Sequence, residues 1–372
     1  MSTPSEFPKR VEPARSVLEE PAPAFSTAQA EEVAQRAFDL RASAHPLASE
    51  RDQNFRLRTT DGSEWVLKIA NPAEDPALLD MQTRALLHIA EVDPELSVPR
   101  VRAKPEGALF HEVDADDGRR FIVRLLSFLP GQLLDDAAPH PALARDVGAM
   151  AARLARALRD FSHPSSHHAL LWDLTQAPDL RERTHHIESA SRRRVIEEVL
   201  DHFTAEVLPR LRQQRAQVIH NDVSRLNTLV DGHRVSGIID FGDLIHAPIV
   251  CDLAVPISEL LVDSPEPIAT AAEITAGYHS VTPLEDEEIR LLPDLVATRC
   301  AMCVAVAHWR VRDHPENAAY IMGGVEETET LLDQMREWGS ERMVAALRRA
   351  CASLSTGAQV DASPPSGRRD VR

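Results

Sequence analysis

Residues 217–243, QVIHNDVSRLNTLVDGHRVSGIIDFGD, constrain this chain more than any other stretch. Val218 and Ile219 form an apolar run that enters the polar loop His220-Asn221-Asp222. A short strand over 228–230 turns at Asp231-Gly232, and a second over 235–239 delivers Asp240-Phe241-Gly242-Asp243. Such a hairpin returns its last residue to the side of the loop that opened it. Asp222, Asn227 and Asp240 therefore converge in space. The chain around this β-rich interruption is mostly helical from about residue 140 on, with periodic apolar segments at 143–161, 193–214, 265–278, 285–310 and 317–338.

The first half follows a different rule. Ser26 followed by Gln29 is a capping-box pattern ahead of Ala30, Val33, Ala37 and Leu40, which predicts a helix over about 26–40. Phe55, Leu57 and Thr59 alternate, Asp61-Gly62 signals a tight turn, and 65–69 reads as a second strand with Lys68 near its end. Asn71-Pro72 breaks that strand before a helix at about 76–91, with Leu78, Leu79, Leu86 and Ile89 on its buried side. A second strand pair, 108–113 and 120–128, flanks the turn Asp116-Asp117-Gly118 and stops at Leu129-Pro130-Gly131. The fold class is α+β. A small antiparallel β-rich N-lobe spans 26–128 and a larger, mainly helical C-lobe spans 129–351, with a cleft expected between them. Residues 1–25 and 352–372, rich in Pro and polar residues, read as disordered or loosely docked arms.

Phosphoryl transfer needs the residue types that the 217–243 hairpin gathers. A carboxylate must take or orient the proton of an attacking hydroxyl, and Asp222 is placed for it. Magnesium prefers hard oxygen ligands, which the Asp240 carboxylate and the Asn227 amide oxygen supply. The partners that remain are narrowed by charge. With 41 Lys and Arg against 58 Asp and Glu, the 372-residue chain carries a net charge of −17. An acidic surface of this kind repels nucleic-acid backbones and suits a cationic or zwitterionic small molecule.

The spacing His220-x-Asp222-x-x-x-x-Asn227, followed by Ile238-Ile239-Asp240-Phe241-Gly242, resembles the catalytic and metal-binding loops of the aminoglycoside phosphotransferase/choline kinase family, a group with a protein-kinase-like two-lobed fold. The resemblance spans about residues 26–340. Asp52-Gln53-Asn54-Phe55, Val66-Leu67-Lys68-Ile69, Arg124-Leu125-Leu126 with Pro130-Gly131, and His246-Ala247-Pro248 with Asp252-Leu253-Ala254 are similar to its hydroxylysine kinase branch, which also occurs fused to class III aminotransferases. The resemblance implies Mg2+ with ATP or GTP as co-substrate and a small hydroxylated amine or amino acid such as 5-hydroxylysine as acceptor. It also implies a functional link to an aminotransferase. Homoserine, choline, ethanolamine or an aminoglycoside are the alternative acceptors. A catalytically silent nucleotide-binding module is the alternative class, and the intact Lys68, Asp222, Asn227 and Asp240 oppose it. By the same resemblance Asp222 matches the catalytic base, Asn227 and Asp240 the metal ligands, and Lys68 the phosphate lysine. Ser127, Phe128 and Leu129 match the hinge whose backbone reads the purine.

Two departures stand out. No glycine lies between His45 and Phe55, so phosphate contact is expected through Ser49 and the Asp52-Gln53-Asn54 segment. No glutamate is evident to orient Lys68, and Asp80 is preferred over Gln82 for that role. Asp243 is expected to assist the metal or attract a substrate ammonium. His220 and Phe241 are read as packing residues of the loops, and Asp252 as a cap of the helix starting near Ile249. Cys300 and Cys303 share one face of a core helix rather than forming a zinc or redox pair. His167-His168, His185-His186 and Arg192-Arg193-Arg194 read as solvated surface. Residues 1–25 lack an apolar signal region, and no run approaches the roughly 20 apolar residues of a membrane span. A cytoplasmic protein without a membrane partner is expected.

Overall fold

The computed structural model describes residues 22–49, 51–103, 107–115 and 118–357. The expected Asp116-Asp117 turn and residues 1–21 and 358–372 of the two expected arms lie outside them. The chain divides into two compact units. The first takes 1–137, 157–173 and 216–247, and the second 138–156, 174–215 and 248–372. The 217–243 hairpin thus belongs with the sheet, and not with the helical half to which the sequence reading gave it.

In the first unit, α1 (Thr27–Phe38) starts at the Ser26–Gln29 capping box foreseen from the sequence. The strands β1 (Ala42–Leu47), β2 (Gln53–Thr59) and β3 (Glu64–Ile69) follow, then α2 (Pro76–Val92), β4 (His111–Asp114) and β5 (Arg120–Ser127). They make one antiparallel sheet in the order β1-β2-β3-β5-β4. The helix α2 opens with Asp75 accepting from the Ala77 N–H and Pro76 in the first turn, where proline is tolerated. β1 escaped the sequence reading. It carries Pro46, which cannot donate to a ladder, and it sits at the sheet edge where that matters least.

Strand periodicity sorts the sheet into two faces. Phe55, Leu57, Leu67, Ile69, Phe121, Val123 and Leu125 point one way and pack with Ala30, Val33, Ala34, Ala37 and Phe38 of α1. Residues of the other parity include Asn54, Lys68 and Arg124, which stand side by side in register across β2, β3 and β5. Phe25 is buried too, edge-on to Phe121 at 5.1 Å, so the ordered core reaches into the segment expected to be an arm. The unit is completed by β6 (Gln132–Leu133), β7 (Ala216–Ile219), β8 (Thr228–Asp231), β9 (Arg234–Ile238) and β10 (Ile245–Pro248). The β8–β9 hairpin turns at Gly232, whose φ of +59° suits glycine, and β6 pairs with β8.

The second unit is helical. It contains α3 (Pro141–Ala157), α4 (Ala190–His202), α5 (Leu208–Leu211), α6 (Ile249–Leu261), α7 (Pro267–Val281), α8 (Asp286–Asp313), α9 (Ala318–Ile321), α10 (Val325–Trp338) and α11 (Ser340–Gly357). The 28-residue α8 runs through the middle and packs on α4, α6, α10 and α11. Cys300 is buried on it, and burial raises its thiol pKa. Cys300 and Cys303 both lie on α8, the first buried and the second half-buried, as a core-helix pair would. Asp252 does not cap α6; the cap position is Pro248, and Asp252 lies buried in the first turn. No helix of the described residues is long and apolar enough to cross a membrane.

Helices α3 and α7 meet closely enough to exclude side chains. A Cβ on Gly277 would lie 1.9 Å from the Arg145 carbonyl oxygen, and one on Gly148 1.9 Å from that of Ile274. Both obstacles are backbone, so no rotamer change relieves them. Gly277→Ala gains up to about 1 kcal/mol of helix propensity but incurs overpacking of roughly 1–3 kcal/mol or more. We expect a net loss of stability of about 1–2 kcal/mol, read as a lower denaturant midpoint at constant slope. A midpoint equal to or above wild type contradicts the close-contact account.

Candidate active site

The site is built from two strand ends and one hairpin. Lys68 reaches out from β3 with its side chain 13% exposed. Its Nζ lies 3.6 Å from Asp240 Oδ1 and 3.7 Å from Asp52 Oδ2. Asp240 follows β9 in the left-handed region at φ +58°, a conformation that aspartate and asparagine tolerate better than other non-glycine residues. The Gly242 N–H donates to its Oδ1 at 3.0 Å. The Lys68 ammonium, outweighing desolvation, and then Arg51 hold the Asp240 carboxyl low, at about 2. The carboxylate is thus ionised at any physiological pH, yet its side chain remains 47% exposed. An anion that is both charged and reachable is what a metal ligand requires.

The loop after β7 supplies the second carboxylate. Asn221 also takes a left-handed conformation, φ +66°, and its Nδ2 donates to the Trp172 carbonyl at 3.3 Å. The Asp222 N–H donates to His220 Nδ1 at 3.3 Å, and the Asp222 carboxylate accepts a short hydrogen bond from Asn227 Nδ2. That same Nδ2 donates to the Asp222 carbonyl at 3.2 Å, so the amide nitrogen of Asn227 is committed. The amide oxygen is the end left to face a cation. The Asn227 carbonyl accepts from the Ile239 N–H at 2.8 Å, which ties the Asp222 loop to the strand that carries Asp240. His220 is fully buried, with its ring edge-on to Phe241 at 4.7 Å. Both residues have the packing role read from the sequence.

The donor set fits magnesium held mainly by phosphates. One ionised carboxylate and one amide oxygen are hard ligands of the kind magnesium takes from protein when a nucleotide supplies the rest.

Residues 43–292 match the family model described as the phosphotransferase enzyme family. The chain belongs to that family. It is 31% identical to a hydroxylysine kinase of Mus musculus over 86% of this chain and 91% of the relative. A hydroxylysine kinase of Danio rerio is also 31% identical, over 81% of this chain and 88% of the relative. Among solved structures, a microcompartment-associated aminopropanol kinase superposes with a TM-score of 0.69 at 18% identity, covering 86% of this chain and all of the other. The protein is a small-molecule kinase of kinase-like fold.

Four details of this phosphotransferase depart from what its sequence led us to expect. Asp80 does not orient Lys68: it pairs with Arg84 at 2.6 Å and with His163 at 3.1 Å. Positions 80 and 82 lie about 200° apart around a helix, and it is Gln82 that faces the sheet, accepting from Arg124 Nη1 at 2.9 Å. The counter-anion of Lys68 on the sheet side is Asp52, whose Oδ1 also accepts from the Asn71 N–H at 3.2 Å. Gln53 is likewise committed, gripping the backbone of Phe25 through both ends of its amide. Asp243 is buried, and its Oδ1 lies 2.7 Å from Arg51 Nη2, a residue the sequence reading passed over because a lone arginine in a loop carries no pattern. At the hinge, the Ser127 N–H donates to the Arg100 carbonyl and the Phe128 N–H to that of Glu64. Of the three hinge amides, only that of Leu129 remains to be considered for reading a purine.

His220 gives the site a pH signature. Burial lowers its pKa to about 4 from the usual 6.5. Between those values the unfolded chain binds a proton that the native state refuses, so stability falls as pH drops from about 6.5 to about 4. The slope from this group is at most about 1.4 kcal/mol per pH unit. Asp240 acts elsewhere: its contribution is complete above the ordinary carboxylate pKa and disappears only as pH falls towards 2. Denaturant midpoints measured from pH 7 to 4 should fall less steeply in His220→Gln than in wild type. Equal slopes would contradict the assignment.

Proposed function

We propose that this kinase moves the γ-phosphoryl group of ATP or GTP onto the side-chain hydroxyl of 5-hydroxylysine or a closely similar amino alcohol, with Mg2+ as its metal. The observation that carries the reading is the convergence of Lys68 and Asp240, with Asp222 tied through Asn227 to the same hairpin. The relatives that share most of the chain give the acceptor its chemical class. The acidic balance of the chain suits an acceptor that carries ammonium groups.

In this reading Lys68 binds the α- and β-phosphates, exchanging its present carboxylate neighbours for phosphate oxygens. Asp240 and Asn227 would hold the metal, which would supply neutralisation of charge on the phosphates. Asp222 orients the acceptor hydroxyl in line with the γ-phosphorus and accepts its proton. Asn227 keeps the Asp222 carboxylate fixed while this happens. Most of the acceleration is positioning and charge neutralisation, so misplacing the carboxylate is as damaging as removing it.

Asp222→Asn should lower kcat by roughly 10²–10⁴-fold, the usual worth of a positioned general base, with the nucleotide KM little changed. The acceptor is tested by nucleoside diphosphate release with Mg-ATP and Mg-GTP over hydroxylysine, homoserine, ethanolamine, choline and an aminoglycoside. We expect hydroxylysine to give the largest kcat/KM and Asp222→Asn to abolish the stimulation. Stimulation by another acceptor with none by hydroxylysine would replace the substrate but keep the enzyme. Full activity in Asp222→Asn would remove its catalytic assignment.

A further inference from the structure

Kinases that bind phosphates with a loop between their first two strands commonly use glycines, which let backbone N–H groups approach closely. The β1–β2 loop here contains Ala48, Ser49, Arg51 and Asp52 among its described residues, and no glycine lies between His45 and Phe55. The loop is also anchored by Asn71, whose Nδ2 donates to the Arg51 carbonyl at 3.3 Å and whose N–H donates to the Asp52 carboxylate at 3.2 Å. A loop held in this way can meet a phosphate through a side chain more readily than through its amides.

Arg51 is the side chain in position. Its Nη2 lies 2.7 Å from Asp243 Oδ1, three residues beyond the metal carboxylate Asp240. Gly242 stands between them. A Cβ there would come within 3.1 Å of Asp240 Oδ1 and 4.0 Å of Arg51 Nη2, so the missing side chain keeps open the space between the guanidinium and the carboxylate. Lys68 approaches Asp240 at 3.6 Å. Two cations thus converge on the Asp240–Asp243 segment, Lys68 of β3 on its first residue and Arg51 of the β1–β2 loop on its last. Desolvation works against the charge of Arg51, but Asp243 and then Asp240 outweigh it and raise its pKa further, so the guanidinium is permanently charged. With one third of its side chain exposed, it is not sealed away.

We propose that Arg51 is a γ-phosphate ligand of this kinase: it turns from Asp243 to the terminal phosphate when a triphosphate binds and stabilises the charge of the transferring group. This deepens the phosphoryl-transfer reading and rests on it. The guanidinium fork matches phosphate oxygens in geometry as well as charge. It takes over the work that a glycine-rich loop does through its amides. Asp243 then serves as the resting partner that keeps Arg51 extended over the site, rather than as the ammonium receptor expected from the sequence.

The test compares binding of Mg-ADP with that of Mg and a non-hydrolysable ATP analogue, by calorimetry and without acceptor, in wild type, Arg51→Gln, Arg51→Lys and Asp243→Asn. It therefore stands whether or not hydroxylysine is the acceptor. Arg51→Gln should weaken the triphosphate analogue by roughly 10- to 100-fold, the scale of one hydrogen bond to a charged group, and ADP by no more than about 3-fold. Arg51→Lys should retain part of the difference, and Asp243→Asn should keep the full preference for triphosphate. If the ion pair is only structural, Arg51→Gln and Asp243→Asn break the same contact. Equal losses in the two variants, or equal losses for both nucleotides in Arg51→Gln, would overturn the proposal. The wild-type-like thermal midpoint expected of Arg51→Lys keeps a folding defect from standing in for either result.

Discussion

Everything at the site is arranged around the ammonium of Lys68. It arrives on the polar face of the sheet because its strand neighbours Leu67 and Ile69 are pinned into the α1-facing core. It is balanced by carboxylates from two directions, Asp52 from the β1–β2 loop and Asp240 from the loop after the hairpin. That balance explains the depressed pKa of Asp240 and gives the left-handed backbone at this residue a purpose. The unfavourable conformation aims the carboxylate back at Lys68, and strain of this sort persists where the surroundings fix it. In the proposed reading a magnesium nucleotide would offer Lys68 phosphate oxygens and Asp240 a cation, so both would exchange one opposite charge for another rather than lose a partner.

A second layer of charge lies behind the first. Arg124 is buried beside Lys68 in register, a cation that burial alone would disfavour and that Asp52, Asp240 and Glu74 support. Desolvation, with Asp52 and Asp243 nearby, raises the pKa of Glu74, while Arg51 opposes that rise. Arginines and carboxylates alternate through this part of the unit, and each depends on the others to be tolerated out of water. Gln82 takes the place on α2 where an acidic residue facing Lys68 was sought. Gln82 accepts from Arg124 there, while Asp52 supplies negative charge to both Arg124 and Lys68.

What the sequence disclosed, and what it hid, follows from the range of the interactions involved. The Asp222–Asn227–Asp240 grouping was legible because Asn227 and Asp240 flank one hairpin, marked by Asp231-Gly232 and two apolar runs, and Asp222 lies in the loop just before it. Lys68 was legible from alternation on β3, and α1 from its capping box. The partner of Lys68 was not, because helical phase decides whether Asp80 or Gln82 faces the sheet, and a spacing of 12 or 14 residues after the strand does not fix that phase. The Arg51–Asp243 pair joins residues 192 positions apart, and nothing local marks either as belonging to the other. β1 was hidden by Pro46, which reads as a breaker in sequence and is harmless on an edge. The grouping of 216–247 with the sheet was equally invisible, since it depends on tertiary contacts of a segment flanked on both sides by helices.

The central claim is that Asp240 trades Lys68 for a metal when nucleotide binds. Nucleotide affinity measured with magnesium and with chelator, in wild type and in Asp240→Asn, tests it most directly. The account predicts that magnesium tightens binding to the wild type and that this gain is lost in Asp240→Asn, while affinity without metal is equal or better because Lys68 then has one carboxylate fewer to leave. A full magnesium gain in Asp240→Asn would contradict it.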